Sequence, residues 1–310
     1  MPSISIALPP LAAVKDAADI LIIRNPVSML AVAAVYCRCL LTEMSVADLF
    51  NPWGLDPIFW LGAFAAVRIA LLGFVDGLVW AVGPKLPALP SRTGPRPVFQ
   101  HKINVTDVVF LAVNSLIEFV FAEHIAHLLW HSPSIVRLPA MVSLLNCPLA
   151  FWLLLVCDDM LYAPLHRLMH HPAVYKYVHK HHHRNTFPAR GYIDAANEHP
   201  VEQLAALSLH WAAVRIVSRT SGLHVIAVGA HFGVKALGAC FNHTGYDLRF
   251  SFLGIDYSVR AHEMHHRKPN TNFAQYVMFW DRLMGTYVDY DSGVGGAAKA
   301  SSSAPRLHAD

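Results

Sequence analysis

Between Tyr162 and Met284 the chain carries fifteen of its twenty histidines, and most fall into three clusters with ordered spacing. The first is His166 and His170, the second His179, His182 and His183, and the third His262, His265 and His266. The two later clusters share the pattern H-x-x-H-H, and the first is H-x-x-x-H. On a helix, residues three and four apart lie on one face, so each cluster aims two or three imidazoles at a common point. Neutral imidazole is the commonest protein ligand for transition metals. The spacing describes a metal site with more than one ion, and any fold must then bring residue 166 close to residue 266.

Other histidines have simpler expectations. His181 lies between cluster members and should point away from their shared face. His171, His210, His224 and His231 have no repeated spacing, so packing or surface roles are expected. His124, His127 and His131 share one helical face but include no adjacent pair, which reads as a polar stripe.

The three clusters sit in an apolar chain. Charged residues make up 15% and the apolar set 55%, against about 25% and 45–50% in soluble domains. Four stretches approach the roughly 20 apolar residues that a spanning helix needs, at 26–41, 58–82, 105–130 and 139–163. Glu118, Glu123, Asp158 and Asp159 fall inside these spans and should face the bundle interior. A broken apolar stretch at 204–241, with Arg215 and Arg219 at its bend, reads as a helical hairpin dipping partway into the membrane. The fold class expected is therefore all-α, with about four transmembrane helices, a partly embedded hairpin and a His-rich region on one side.

Loop charges orient it. Lys85, Arg92, Arg96 and Lys102 mark a Pro-rich linker, and Arg167, Lys176, Lys180, Arg184 and Arg190 mark the His region. Glu43, Asp48 and Asp56 mark the loop between the first two spans. By the positive-inside rule the linker and the His region face the cytosol. The N-terminus shows no cleavable signal peptide pattern. The net charge of +3 and the lack of a basic patch interleaved with aromatics argue against nucleic-acid binding. Five scattered cysteines form no C-x-x-C pair and read as small buried hydrophobes.

The segment from Asp159 to His171, followed by Tyr175 to His183, resembles the fatty acid hydroxylase/sterol desaturase superfamily. Downstream, Asn242-His243-Thr244-Gly245-Tyr246 resembles its H-S-G-Y segment. The Arg260 to His266 run resembles its last histidine box, and Trp280-Asp281 through Gly285-Thr286 its W-D-x-x-x-G-T ending. The pattern is most similar to C4-methylsterol oxidases and cholesterol 25-hydroxylase. The apolar stretches divide the chain into 1–104 with two spans and the linker and 105–163 with two more, the resemblance adds a catalytic region at 158–288, and the Gly-, Ala- and Ser-rich tail at 291–310 is expected to be disordered.

What the resemblance implies is a non-haem di-iron centre that uses dioxygen on an unactivated C–H bond of a lipid. Its implied ligands are His166, His170, His179, His182, His183, His262, His265 and His266, with His243 and His199 added as singletons. Ala261 and Ala239 stand where relatives often have histidine. No flavin, nicotinamide or haem signature is visible, so electrons would come from a separate partner, a reductase or cytochrome b5. By the same resemblance the endoplasmic reticulum is the expected membrane. Metal-bound histidines usually give their second N–H to a carboxylate or carbonyl. Asp159 is the first candidate for that role toward His166, Asp158 the next, and Glu202 the candidate for His199. Asp281 is expected to fix the last turn.

Two other classes remain open on the sequence. His262-Glu263-Met264-His265-His266 also reads H-E-x-x-H, the zinc-protease signature with Glu263 as general base. A metal transporter or sensor is the third reading, although its ligands would be expected along a path through the spans.

Overall fold

The computed structural model describes residue 48 and residues 50–89 and 101–290. The expected span at 26–41, Cys37, Cys39, most of the Pro-rich linker and the tail at 291–310 lie outside the described residues.

Helix α1 (Pro57–Leu71) starts where Asp56 accepts from the Ile58 N–H and Pro57 supplies a pre-set φ at the first position. It runs through a π turn into α2 (Gly77–Val82), together forming the candidate span Pro57–Lys85. Helix α3 (Val105–His131) opens on a reciprocal cap between Asn104 and Asp107. After the short strand β1 (Ile135–Val136), a π turn leads into α4 (Ala150–Met169), and Leu145–Met169 is again long and apolar enough to cross a membrane. Ile58, Phe59, Ile69 and Val105 are 72% to 80% exposed. Side chains of that kind along such helices fit a lipid surface.

The histidine-rich segment follows as two one-turn helices, α5 (Pro172–Tyr175) and α6 (Tyr192–Ala195), with turns between them that include a 3₁₀ turn at His182–Arg184. Helix α7 (Pro200–Thr220), strand β2 (Leu223–His224) and α8 (Val225–Asn242) occupy the stretch expected as a hairpin that dips partway into the membrane, and α8 is by itself long and apolar enough to cross one. The bend between α7 and α8 pairs in parallel with β1, Ile135 opposite Leu223 and Val136 opposite His224. β1 lies in the connection between the far ends of α3 and α4, so the hairpin matches their full length.

The chain is mostly helical, but not wholly. Besides the β1–β2 pair, β3 (Arg249–Phe252) and β4 (Ile255–Ser258) make an antiparallel hairpin closed by Leu253 and Gly254. It feeds directly into α9 (Val259–Arg267), and α10 (Phe279–Met284) follows. The core lies along α4 and α8. One apolar group joins Leu155, Cys240, Ile255, Tyr257 and Tyr276, and a second joins Ala150, Leu154, Val214 and Val228.

The ionisable residues of the spans do face inward. Asp158 meets Lys235 Nζ at 2.7 Å and His210 Nδ1 at 2.5 Å, locking α4 to both arms of the hairpin. Glu118 accepts from Arg68 at 2.6 Å and from Tyr192 at 2.7 Å, tying α1 and α3 to the His-rich segment. Glu123 accepts from Trp60 Nε1 at 2.9 Å. Each charge has partners, as low-dielectric burial requires.

Candidate metal centre

Nine histidines converge into two adjoining groups. His166, His170, His179, His183 and His265 make one, and His182, His243, His262 and His266 make the other. Their ring nitrogens lie within 4.8 Å of one another in each group, and none of the nine is more than 9% exposed. The last turn of α4 brings His166 and His170, the end of α8 brings His243, and α9 brings the third cluster.

Adjacent residues on a helical turn point about 100° apart, so H-H pairs divide between the groups. His182 and His183 go separate ways, as do His265 and His266. The groups are neighbours, with His183 and His266 ring centres 4.6 Å apart.

The contacts within each group are made by Nε2 atoms. In the five-histidine group, His179 Nε2 is 3.1 Å from His166 and 3.0 Å from His183, and His265 Nε2 is 3.0 Å from His183 and 3.2 Å from His170. In the four-histidine group, His243 Nε2 is 3.3 Å from both His182 and His262, and His262 is 3.1 Å from His266.

The opposite nitrogens show which ring atom faces inward. Backbone carbonyls accept from Nδ1 of His166 (Phe273, 2.8 Å), His243 (Ala239, 2.7 Å), His265 (Thr271, 2.7 Å) and His266 (Asn185, 3.2 Å). A carbonyl only accepts, so the ring proton sits on Nδ1 and a bare lone pair on Nε2 faces inward. Burial, reinforced by neighbouring rings, holds His179, His182, His183, His262, His265 and His266 well below the usual imidazole range. His170 is pushed down to about 2 by the same burial. Neutral rings crowding their lone pairs together repel unless a positive ion sits among them. Imidazoles held about 2.0–2.1 Å from one ion and at right angles would have nitrogens about 3 Å apart, which matches the contacts.

His199 stands apart from both groups. It is the N-cap of α7, where its Nδ1 accepts from the Val201 N–H at 3.2 Å, and its ring packs edge-on against Phe110. His171 and His224 cap α5 and α8 in the same way. A readable signal existed for two of them, since Pro172 and Pro200 follow directly and proline favours the first helical position. His181 turns away from the groups, as expected, to Asn197 Oδ1 at 2.9 Å.

The supporting carboxylates are redistributed. Glu202 Oε1 lies 2.5 Å from His179 Nδ1, so it serves a cluster histidine and not His199. Asp159 does not reach His166. It accepts from the N–H groups of Tyr276 at 2.5 Å and Val277 at 2.6 Å, pinning the loop that follows α9. Asp158 belongs to the interhelical lock with Lys235 and His210. Asp281 accepts from the N–H groups of Phe273 and Ala274 and from Thr286 Oγ1, fixing the stretch whose Phe273 carbonyl orients His166. A loop carbonyl therefore does for His166 what a carboxylate was expected to do.

Ala261 faces Ala163, Phe273, Ala274 and Met278, away from the imidazoles, so its lack of a ring removes nothing from either group. A cavity of about 390 Å³ opens on this outer side of α9, bordered by Arg249, Arg260, Ala261, Met278 and Tyr287, and is separate from the histidines.

Residues 151–286 match the fatty acid hydroxylase family. The chain is 33% identical over 138 residues to methylsterol monooxygenase 1 of Rattus norvegicus, covering 44% of this chain and 45% of that protein. It is 28% identical over 134 residues to a C-4 methylsterol oxidase of Schizosaccharomyces pombe, covering 40% and 42%. A fatty acid hydroxylase of Mycosarcoma maydis is 28% identical over 125 residues, covering 40% and 30%. The matches thus span less than half the length of these relatives. No solved structure matches the chain significantly. All nine convergent histidines lie within the matched segment, residues 151–286.

Proposed function

We propose that this chain is a membrane-bound di-iron oxygenase that oxidises a C–H bond of a lipid, with sterol-like or fatty acyl compounds as the substrate class. The observation that carries the reading is the pair of buried, neutral imidazole sets whose Nε2 lone pairs crowd together. Five and four nitrogen ligands, with no cysteine and no first-contact carboxylate, suit iron with open positions better than closed structural zinc. Iron held there would supply dioxygen activation. The protein's own part is to keep the rings neutral, fix their tautomers through the Phe273, Ala239, Thr271 and Asn185 carbonyls, and exclude water by burial. The named activities of the relatives, methylsterol oxidation and fatty acid hydroxylation, point to the same chemistry.

The protease reading fits less well. Glu263 Oε1 accepts from Arg267 Nε at 3.0 Å, and His262 and His266 share their group with two further histidines. A catalytic zinc keeps three protein ligands and an open position.

The site lies at the end of α4 and of α8, on the side where the first described span ends at Lys85. With the basic loops on that side, the centre faces the cytosol, and the membrane is that of the endoplasmic reticulum. A separate cytosolic-facing donor, a reductase or cytochrome b5, supplies electrons. The test is purification of the intact chain in lipid nanodiscs, with metal analysis and lipid profiling of cells with and without it. About two irons per chain and an oxygen-dependent change in one lipid class are expected. One zinc and a peptidase activity would replace this reading with the alternative.

A further inference from the structure

The two histidine groups are braced by different parts of the chain. Around the five-histidine group, the Phe273 and Thr271 carbonyls hold His166 and His265, and Glu202 holds His179. The four-histidine group leans on residues 185–194. There the Asn185 carbonyl accepts from His266 Nδ1 at 3.2 Å, and the Gly191 N–H donates to the His243 carbonyl at 2.9 Å. His182 lies three residues before Asn185 on the same chain. The segment therefore adjoins three of the four histidines in that group.

Most of this segment is turns, with only α6 at its end and Gly191 at φ 60° within it. Chain of this kind holds one shape only where its buried polar groups have partners. Asp194 gathers them. Its Oδ2 accepts from the N–H groups of Ala189 at 2.8 Å and Arg190 at 2.9 Å. Its Oδ1 accepts from Asn185 Nδ2 at 2.9 Å and from Arg190 Nε and Nη2 at 2.8 Å and 2.6 Å. A carboxylate offers about four lone-pair sites, so five donors saturate it. The Arg190 pair alone would be an ordinary i,i+4 staple. The bond to Asn185 aims it at the histidines. Asn185 Oδ1 also accepts from the His101 N–H at 2.5 Å, so the residue whose carbonyl meets His266 is clamped through both side-chain atoms.

We propose that Asp194 is a positioning residue for the four-histidine group, setting through Asn185 the tautomer and tilt of His266 so that its Nε2 lone pair faces the ion held there. The proposal rests on the two-ion reading above. It also makes the two ion positions separable, because disturbing Asp194 loosens one brace and leaves the Phe273, Thr271 and Glu202 contacts of the other in place.

The test uses the full chain in nanodiscs, stripped of metal and titrated with cobalt(II) against a competing chelator, with visible absorption reporting each ion bound. The wild-type chain should bind two ions. Asp194→Ala should bind one ion as tightly as wild type and the second about 10-fold or more weakly. The spectrum of its tighter ion should match that of His262→Ala, which lacks one ring of the same group. Glu202→Ala should instead weaken the ion that Asp194→Ala leaves tight. Equal weakening of both ions in Asp194→Ala would make the residue a general staple of the fold and overturn the proposal, as would two ions held as in wild type. Fewer than two ions in the wild-type chain would overturn the two-ion reading together with it. Asn185→Ala is the second variant, for the case that Asp194→Ala does not fold. It keeps the Asn185 carbonyl and the other four donors to Asp194, and removes only the link between them. The same selective weakening is expected, and unchanged binding of both ions would refute the role.

Discussion

Glu202 offers the sharpest separation between what the residues suggest and what the geometry says. Its carboxylate lies 2.5 Å from His179 Nδ1 and both groups are buried. Once a cation takes the His179 Nε2 lone pair, the ring proton must sit on Nδ1 and donate to Glu202. Glu202→Gln keeps an acceptor but loses the negative charge that a cation bound to His179 would favour. A charge-assisted bond contributes about 1.5–3 kcal/mol and a neutral one about half, so the loss is about 0.8–1.5 kcal/mol. That corresponds to roughly threefold to tenfold weaker metal binding. Glu202→Ala removes the acceptor and should cost between about 10-fold and 100-fold. Chelator competition on the purified protein in nanodiscs, with iron measured on both sides of a dialysis membrane, reads the order directly. His199→Ala is the control, because His199 lies outside both groups and caps α7; metal affinity should not move. Unchanged affinity in Glu202→Ala, or a large loss in His199→Ala, would refute the assignment.

Four further outcomes follow from the same geometry. His182→Ala and His262→Ala, each removing one ring from the four-histidine group, should abolish lipid oxidation and lower bound iron by about one ion of two, while His181→Ala keeps both ions, as metal analysis would show. Glu263→Gln should retain metal and measurable lipid oxidation, since its carboxylate faces Arg267; loss of a demonstrated peptidase activity would point the other way. Asp159→Asn removes the charge from two short backbone bonds and should destabilise the fold by about 3–5 kcal/mol, visible as a lowered thermal midpoint together with lost iron. Glycosylation acceptors placed after Arg137 and after Gly222 should both be modified and one after Thr186 should not, because the hairpin bend pairs with the α3–α4 connection; modification at Thr186 would reverse the orientation.

The sequence by itself determined which rings could meet. The spacings H-x-x-x-H and H-x-x-H-H are local properties of helical turns, and eight of the nine convergent histidines follow from them. The ninth, His243, needed the resemblance of its surroundings to a known family, because a singleton has no spacing to read. The apolar stretches at 58–82, 105–130 and 139–163 and the inward-facing charges were equally legible, since about twenty apolar residues have few alternatives to a membrane helix, whereas α8, long and apolar enough to cross, had read as one arm of a partial dip. Only the tertiary structure decided how those rings divide into two groups and which atoms hold them. His199 looked like a ligand by its neighbours, but a proline after it made it a cap. Glu202 looked like a partner for His199, three residues away, yet the fold places it on His179. The anchor of His166 is a carbonyl from residue 273, more than a hundred positions along the chain. Such pairings depend on how α4, α7 and the loop after α9 pack together, and periodicity reports which way a side chain faces on its own element but not what another element sets opposite it.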